Sequence, residues 1–212
     1  LSEKSRNYKL KQFIHVSALG IEKAIDSEYA KSKLKGEKNI LNNFSSSVIL
    51  RPSLVYSVND NFTTNIMTLL SLLPVFPLYY NGNTKFSPIH VTDFCEIIAK
   101  IIDESIFSEI IECVGPEELS FKEIIKKLLI AIDKKTFLLP VPTIIAKITA
   151  FFLEKLPTPL ITQDQLRLLK YDNILSKENK SNIDIGFEAT LKFDEEIVKY
   201  SYMWKKGGEY SK

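Results

Sequence analysis

The chain has 212 residues, 45% of them hydrophobic, with 28 Lys and Arg against 26 Asp and Glu and a formal net charge of +2. That length and apolar fraction support a buried core, while lysines interleaved with acids, as at Lys122-Glu123, argue for solvated helix faces and against nucleic-acid binding. Cys95, Cys113, His15 and His90 fall on separate stretches without metal-ligand spacing, so buried, reduced thiols and no metal site are expected.

In chain order, residues 12–18 are a short apolar run ending in small residues, which predicts a buried parallel strand whose end lets a ligand approach. A helix carrying Tyr29 and Lys33 follows, and residues 47–56 predict a second apolar strand interrupted by Pro52. Residues 66–80 are apolar but broken by Pro74 and Pro77, which predicts a helix and a loop on the substrate side and excludes a membrane span. After a turn at 81–84, residues 86–91 predict a short strand, and Asp93 with Glu96 predicts a capping box opening a helix over 93–103.

The last third reads as helical. Residues 121–132 and 142–156 have amphipathic periodicity, with Ile144, Ile145, Ile148, Phe151, Phe152 and Leu156 along one face of the second. That face is expected to complete the core; the alternative is a membrane-surface or partner-binding helix, since Lys147 and Lys155 flank the aromatics. Further helices are expected over 163–173 and 192–204, and then a loose tail at Gly207-Gly208.

The chemistry centres on Tyr29 and Lys33. Four residues apart on a helix, they share one face, so the ammonium can sit beside the phenol. A phenol titrating near 10 must fall by roughly 3 units to act at neutral pH, about 4 kcal/mol of differential stabilisation, and a fixed cation is a source of it.

Strand, Tyr-x-x-x-Lys helix and strand ending in Leu50-Arg51-Pro52 together resemble the extended short-chain dehydrogenases/reductases. Phe13 to Gly20, Gly36-Glu37, Leu50 to Tyr56, Phe86 to Asp93 and above all Thr162-Gln163-Asp164-Gln165 resemble the atypical group of that superfamily, which includes the 39 kDa accessory subunit of respiratory complex I. The resemblance implies an α/β fold with a Rossmann-like parallel sheet and a mostly helical C-terminal region. It implies a catalytic set of Tyr29, Lys33 and Ser17, and contacts to a nicotinamide nucleotide from Ser17, Tyr29, Lys33, Pro52, Ser53, Leu54 and Val55. NADPH is the form it favours. It further implies complex I subunits as partners and a position peripheral to the inner membrane, while the unpaired, reduced cysteines suit a cytoplasmic protein. The alternative activity is an oxidoreductase or an NAD-dependent sugar epimerase or dehydratase.

Two departures bear on these expectations. Ala18 stands where active members of the superfamily carry the hydroxyl that binds the substrate oxygen, with Ser17 one residue early, so the catalytic set reads as incomplete. None of the seven glycines has the spacing of a pyrophosphate-binding turn. The expectation is therefore a fragment holding only the C-terminal half of the Rossmann sheet, with cofactor binding reserved for the complete protein. Residues 1–60 would form the residual Rossmann half, interleaved with a substrate or docking region over 61–212.

Overall fold

The computed structural model describes residues 10–155 and 161–210. Leu156, expected on the apolar face of the helix over 142–156, lies outside those residues. Ten short strands β1 to β10 and seven helices α1 to α7 are assigned among them: β1 (Ile14–Val16), α1 (Glu28–Asn43), β2 (Val48–Pro52), β3 (Val55–Tyr56), α2 (Thr63–Leu72), β4 (Val75–Tyr79), β5 (Lys85–Phe86), β6 (Ile89–His90), α3 (Val91–Asp103), β7 (Ile110–Cys113), β8 (Leu119–Ser120), α4 (Phe121–Ala131), β9 (Phe137–Val141), α5 (Thr143–Leu153), α6 (Gln163–Leu168), β10 (Lys180–Ser181) and α7 (Phe193–Ser201).

The central sheet is parallel throughout, in the order β1-β2-β7-β10. All five residues of β2 are buried, as an interior parallel strand covered on both faces requires. Register places Val16 opposite Leu50 and Leu50 opposite Ile111. Two of the four strands come from before residue 60 and two from after it. On one side, Phe94, Ile97 and Ile101 of α3 pack with Val48, Leu50 and Ile111. A larger core gathers Phe121 and Leu128 of α4, Phe193 and Tyr200 of α7, Trp204 and Tyr56. Helix α4 opens on a capping box between Ser120 and Glu123, which satisfies two of its free N–H groups.

Several local expectations are corrected. The strand expected over 47–56 is two: β2 ends at Pro52, and β3 pairs in parallel with β6 in a separate ribbon. Residues 75–79 form a strand, β4, in parallel register with β9; Pro77 is tolerated because a two-stranded ribbon leaves one edge of each strand without ladder partners. The strand expected over 86–91 is divided at Pro88 into β5 and β6. Helix α3 begins at Val91 with His90 as its cap, whose Nδ1 accepts the Thr92 N–H at 3.3 Å. The Asp93 carboxylate instead accepts the N–H groups of Thr190 and Leu191, fastening the C-terminal loop. The helix expected over 163–173 stops at Leu168. Tyr210 packs on Trp204 with ring centroids 5.0 Å apart and donates its N–H to Met203, so the tail is folded back through that residue. Cys113 is buried as expected, but Cys95 is exposed on α3.

The apolar face of α5 does not complete the core. Its buried residues are Ala146 and Ala150, packed on Tyr79 and Leu166, whereas Ile144 is 74% and Phe152 64% exposed. The physical reason is size: small alanines let α5 lie close against α6 and Tyr79, and the large side chains are turned outward.

Candidate functional site

Helix α1 starts at Ser27, whose hydroxyl accepts the Ala30 N–H at 3.2 Å. Its stripe at four-residue spacing is Tyr29, Lys33 and Glu37, one above the other on the face turned to the sheet. Glu37 is buried and receives a two-point bond from Arg51 of β2: Nε to Oε1 at 2.9 Å and Nη2 to Oε2 at 2.6 Å. Arg51 also meets Glu22 in the loop after β1. Burial works against both charges, lowering the guanidinium pKa and raising that of the Glu37 carboxyl, so each depends on the other.

The N-terminus of α1 is held from far along the chain. Asp164 accepts the Ser27 hydroxyl and the N–H groups of Glu28 and Tyr29 at 2.9 to 3.0 Å. Burial tends to raise its carboxyl, but these hydrogen bonds outweigh that and hold it below the usual aspartate value. The neighbours of Asp164 have related tasks. Thr162 and Gln165 form the capping box of α6, and Gln163 is tied to Glu154 at the end of α5. The Thr-Gln-Asp-Gln stretch is therefore a brace for the helix that carries Tyr29 and Lys33. Asp164→Asn is expected to cost about 1–2 kcal/mol at neutral pH, as loss of a helix cap does. Because the folded-state pKa is depressed, this stability is present above the unfolded value and is lost as pH falls through the folded one, so variant and parent should converge only at pH below the ordinary aspartate range. Paired thermal melts check both points.

A second knot joins the wall opposite. Asn173 donates its side-chain N–H to the Leu19 carbonyl, accepts the Ser53 hydroxyl at 2.7 Å, and exchanges backbone bonds with Lys85 and Ser87. It thus links the loop after β1, the end of β2 and strand β5. Ser87 takes part through its backbone, with its N–H donated to the Ser53 hydroxyl.

These elements enclose a cleft of about 780 Å³ at the carboxyl ends of β1 and β2. Ser17, Tyr29, Lys33, Pro52, Ser53, Leu54 and Val55 all line it, as does Ala18. The strand ends at Val16, so both Ser17 and Ala18 contribute to the wall; the Ser17 hydroxyl is buried without a hydrogen-bond partner among the described residues. Tyr29 is 44% exposed. The Lys33 ammonium lies 5.7 Å from the centroid of the Tyr29 ring and donates to the Val16 carbonyl at 3.2 Å. Burial raises the Tyr29 phenol above its ordinary value, and the Lys33 ammonium donates to a carbonyl instead of the phenol oxygen. Sequence reasoning missed Arg51, Asp164 and Asn173 as site-building residues, although all but Asn173 stood in the motifs that carried the resemblance. Among the described residues no group of three or more His, Cys, Asp or Glu could hold a metal ion.

No family model matches the chain. It is similar to the mitochondrial NADH-ubiquinone oxidoreductase 40 kDa subunit of Neurospora crassa, 26% identical over 205 residues, which cover 95% of this chain and 52% of that protein. It is likewise similar to the mitochondrial NADH dehydrogenase (ubiquinone) 1 alpha subcomplex subunit 9 of Arabidopsis thaliana, at 25% identity over 93% of this chain and 52% of that protein. The chain spans about half the length of these curated relatives. Among solved structures, UDP-glucuronic acid 4-epimerase from Bacillus cereus, in complex with UDP-glucuronic acid and NAD, superposes with a TM-score of 0.65 at 19% identity, covering 95% of this chain and 64% of that one. The dTDP-glucose 4,6-dehydratase DesIV from Streptomyces venezuelae, with NAD and TYD bound, gives 0.63 at 17% identity, covering 98% and 64%. The fold is the Rossmann-like α/β arrangement that these solved structures share, with a parallel sheet covered by helices.

Proposed function

We propose that this chain forms the nicotinamide-facing part of an NAD(P)-binding protein of the atypical extended type, which holds the nucleotide as a fixed component and works with respiratory complex I or its assembly. One observation carries the reading: the residues expected to meet the nucleotide line a single cleft at the carboxyl ends of parallel strands, where this class of sheet places its ligands. The solved structures of like fold that contain NAD, and relatives named as subunits of NADH dehydrogenase, support it. Lys33 would reach the ribose hydroxyls, Tyr29 would pack beside them, and residues 52–55 would border the nicotinamide. When bound, the nucleotide would supply hydride-transfer capacity; the chain's own groups position it. NADPH is the form we assign, from the resemblance to the atypical group.

Holding without turnover fits the electrostatics. A phenol raised by burial is a weak proton relay at neutral pH, and Ala18 supplies no hydroxyl to a substrate oxygen. The oxidoreductase or epimerase alternative requires Tyr29 as acid and base. Tyr29→Phe in the full-length protein separates the two readings: nucleotide content should stay within about twofold, since the ring still packs. A reductase or epimerase activity abolished by that change would establish the alternative.

Peripheral attachment at the surface of the inner membrane is supported by α5. Its large apolar residues are exposed, Lys147 and Lys155 flank them, and the Lys155 ammonium lies 4.2 Å from the Phe151 ring centroid. No helix of the described residues is long and apolar enough to cross a membrane. Flotation with anionic vesicles tests this attachment.

A further inference from the structure

The part of the cleft beyond Tyr29 and Lys33 has a composition of its own. Phe62, Phe86 and Phe121 form a cluster with ring centroids 6.2 to 6.5 Å apart, and Leu69, Leu153 and the solvent-exposed Leu73 add to the apolar wall. Among the described residues, the charged groups lining the whole cleft are Lys33 and Asp172. Lys33 is bonded to the Val16 carbonyl at the inner end, and Asp172 accepts the Lys85 N–H at 2.8 Å. A diphosphate-linked sugar would bring two negative charges to a wall with no cation of its own and one carboxylate nearby. Desolvating unpaired charge against phenylalanine and leucine is strongly unfavourable.

We propose that this outer part of the cleft binds a neutral ligand with an apolar chain and one carbonyl or hydroxyl head, the chain lying on the phenylalanine cluster and the head directed toward Tyr29. The chain gains from leaving water in proportion to the area it buries, and the head meets the polar groups at the carboxyl ends of the strands. The proposal rests on the nucleotide reading only for which end of the cleft is left free. Its test needs no nucleotide, so the two can fail separately.

The probe is N-phenyl-1-naphthylamine, a neutral apolar fluorophore, titrated into this chain and then displaced with 2-dodecanone or with UDP-glucose. Saturable binding is expected, with competition by the ketone and none by the sugar nucleotide. Leu73→Asp, at a half-exposed position on the wall where folding should survive, is expected to weaken the probe roughly tenfold or more by placing a carboxylate in its path. Phe152→Ser, on the exposed face of α5, should leave affinity within about twofold. Displacement by UDP-glucose, indifference to Leu73→Asp, absence of saturable binding, or loss of binding with Phe152→Ser would each overturn the proposal, the last by placing the probe on the surface of α5.

Discussion

Arg51→Ala is expected to destabilise the chain by about 3–5 kcal/mol, the cost of breaking a buried ion pair by removing one partner. The side chain of Arg51 is 6% exposed and that of Glu37 4%, so water cannot replace the lost guanidinium, and the Glu37 carboxylate would lose its two-point partner without gaining solvent. Arg51 is also what fastens β2 to the helical stripe of Tyr29, Lys33 and Glu37. The double change Arg51→Met with Glu37→Leu should cost much less than the two single changes added together, since removing both charges removes the orphan. Urea unfolding of the four proteins reads the interaction directly. A single-mutant cost below about 1 kcal/mol would mean that the pair is not the tie described here.

Lys33→Ala is expected to weaken nicotinamide-nucleotide affinity roughly 10- to 100-fold in a protein that also carries a phosphate-binding turn, the loss of charge-assisted hydrogen bonds to the ribose. The position is prepared for that role. The ammonium already donates to the Val16 carbonyl in the wall of the cleft, four residues along α1 from Tyr29. Because α1 is braced independently by Asp164 and by Arg51, the fold should survive the change, and a melting temperature close to the parent's would separate lost contact from lost structure. Unchanged affinity would remove Lys33 from the site.

What could be read from the sequence was local. The helix of Tyr29 and Lys33 is placed by its position between two apolar strands, and the burial of Val48, Ile49 and Leu50 follows from an unbroken β-branched and aliphatic run. Their arrival at one cleft with Pro52 to Val55 follows from strand–helix–strand order. The fixings of that cleft were not legible, because they join residues far apart: Asp164 caps a helix 135 residues upstream, and Asn173 meets Leu19 across 154. Asp93 shows the limit of local motifs. Its spacing to Glu96 satisfies a capping box, yet the backbone of Thr190 and Leu191 competes for the carboxylate and wins. Periodicity likewise showed that Ile144, Ile148 and Phe152 share one side of α5, but not that nothing among the described residues covers them, which depends on the alanines that pack beneath.

The central claim is that the cleft beside Tyr29 and Lys33 belongs to a protein that retains a nicotinamide nucleotide without turning it over. Native mass spectrometry of the full-length protein, purified without added nucleotide and compared with its Lys33→Ala variant, addresses it most directly. The account predicts a mass increment of one nicotinamide nucleotide per chain, identified by its released mass, present in the parent and depleted in the variant. A folded parent without that increment, or an increment retained in full by Lys33→Ala, would contradict it.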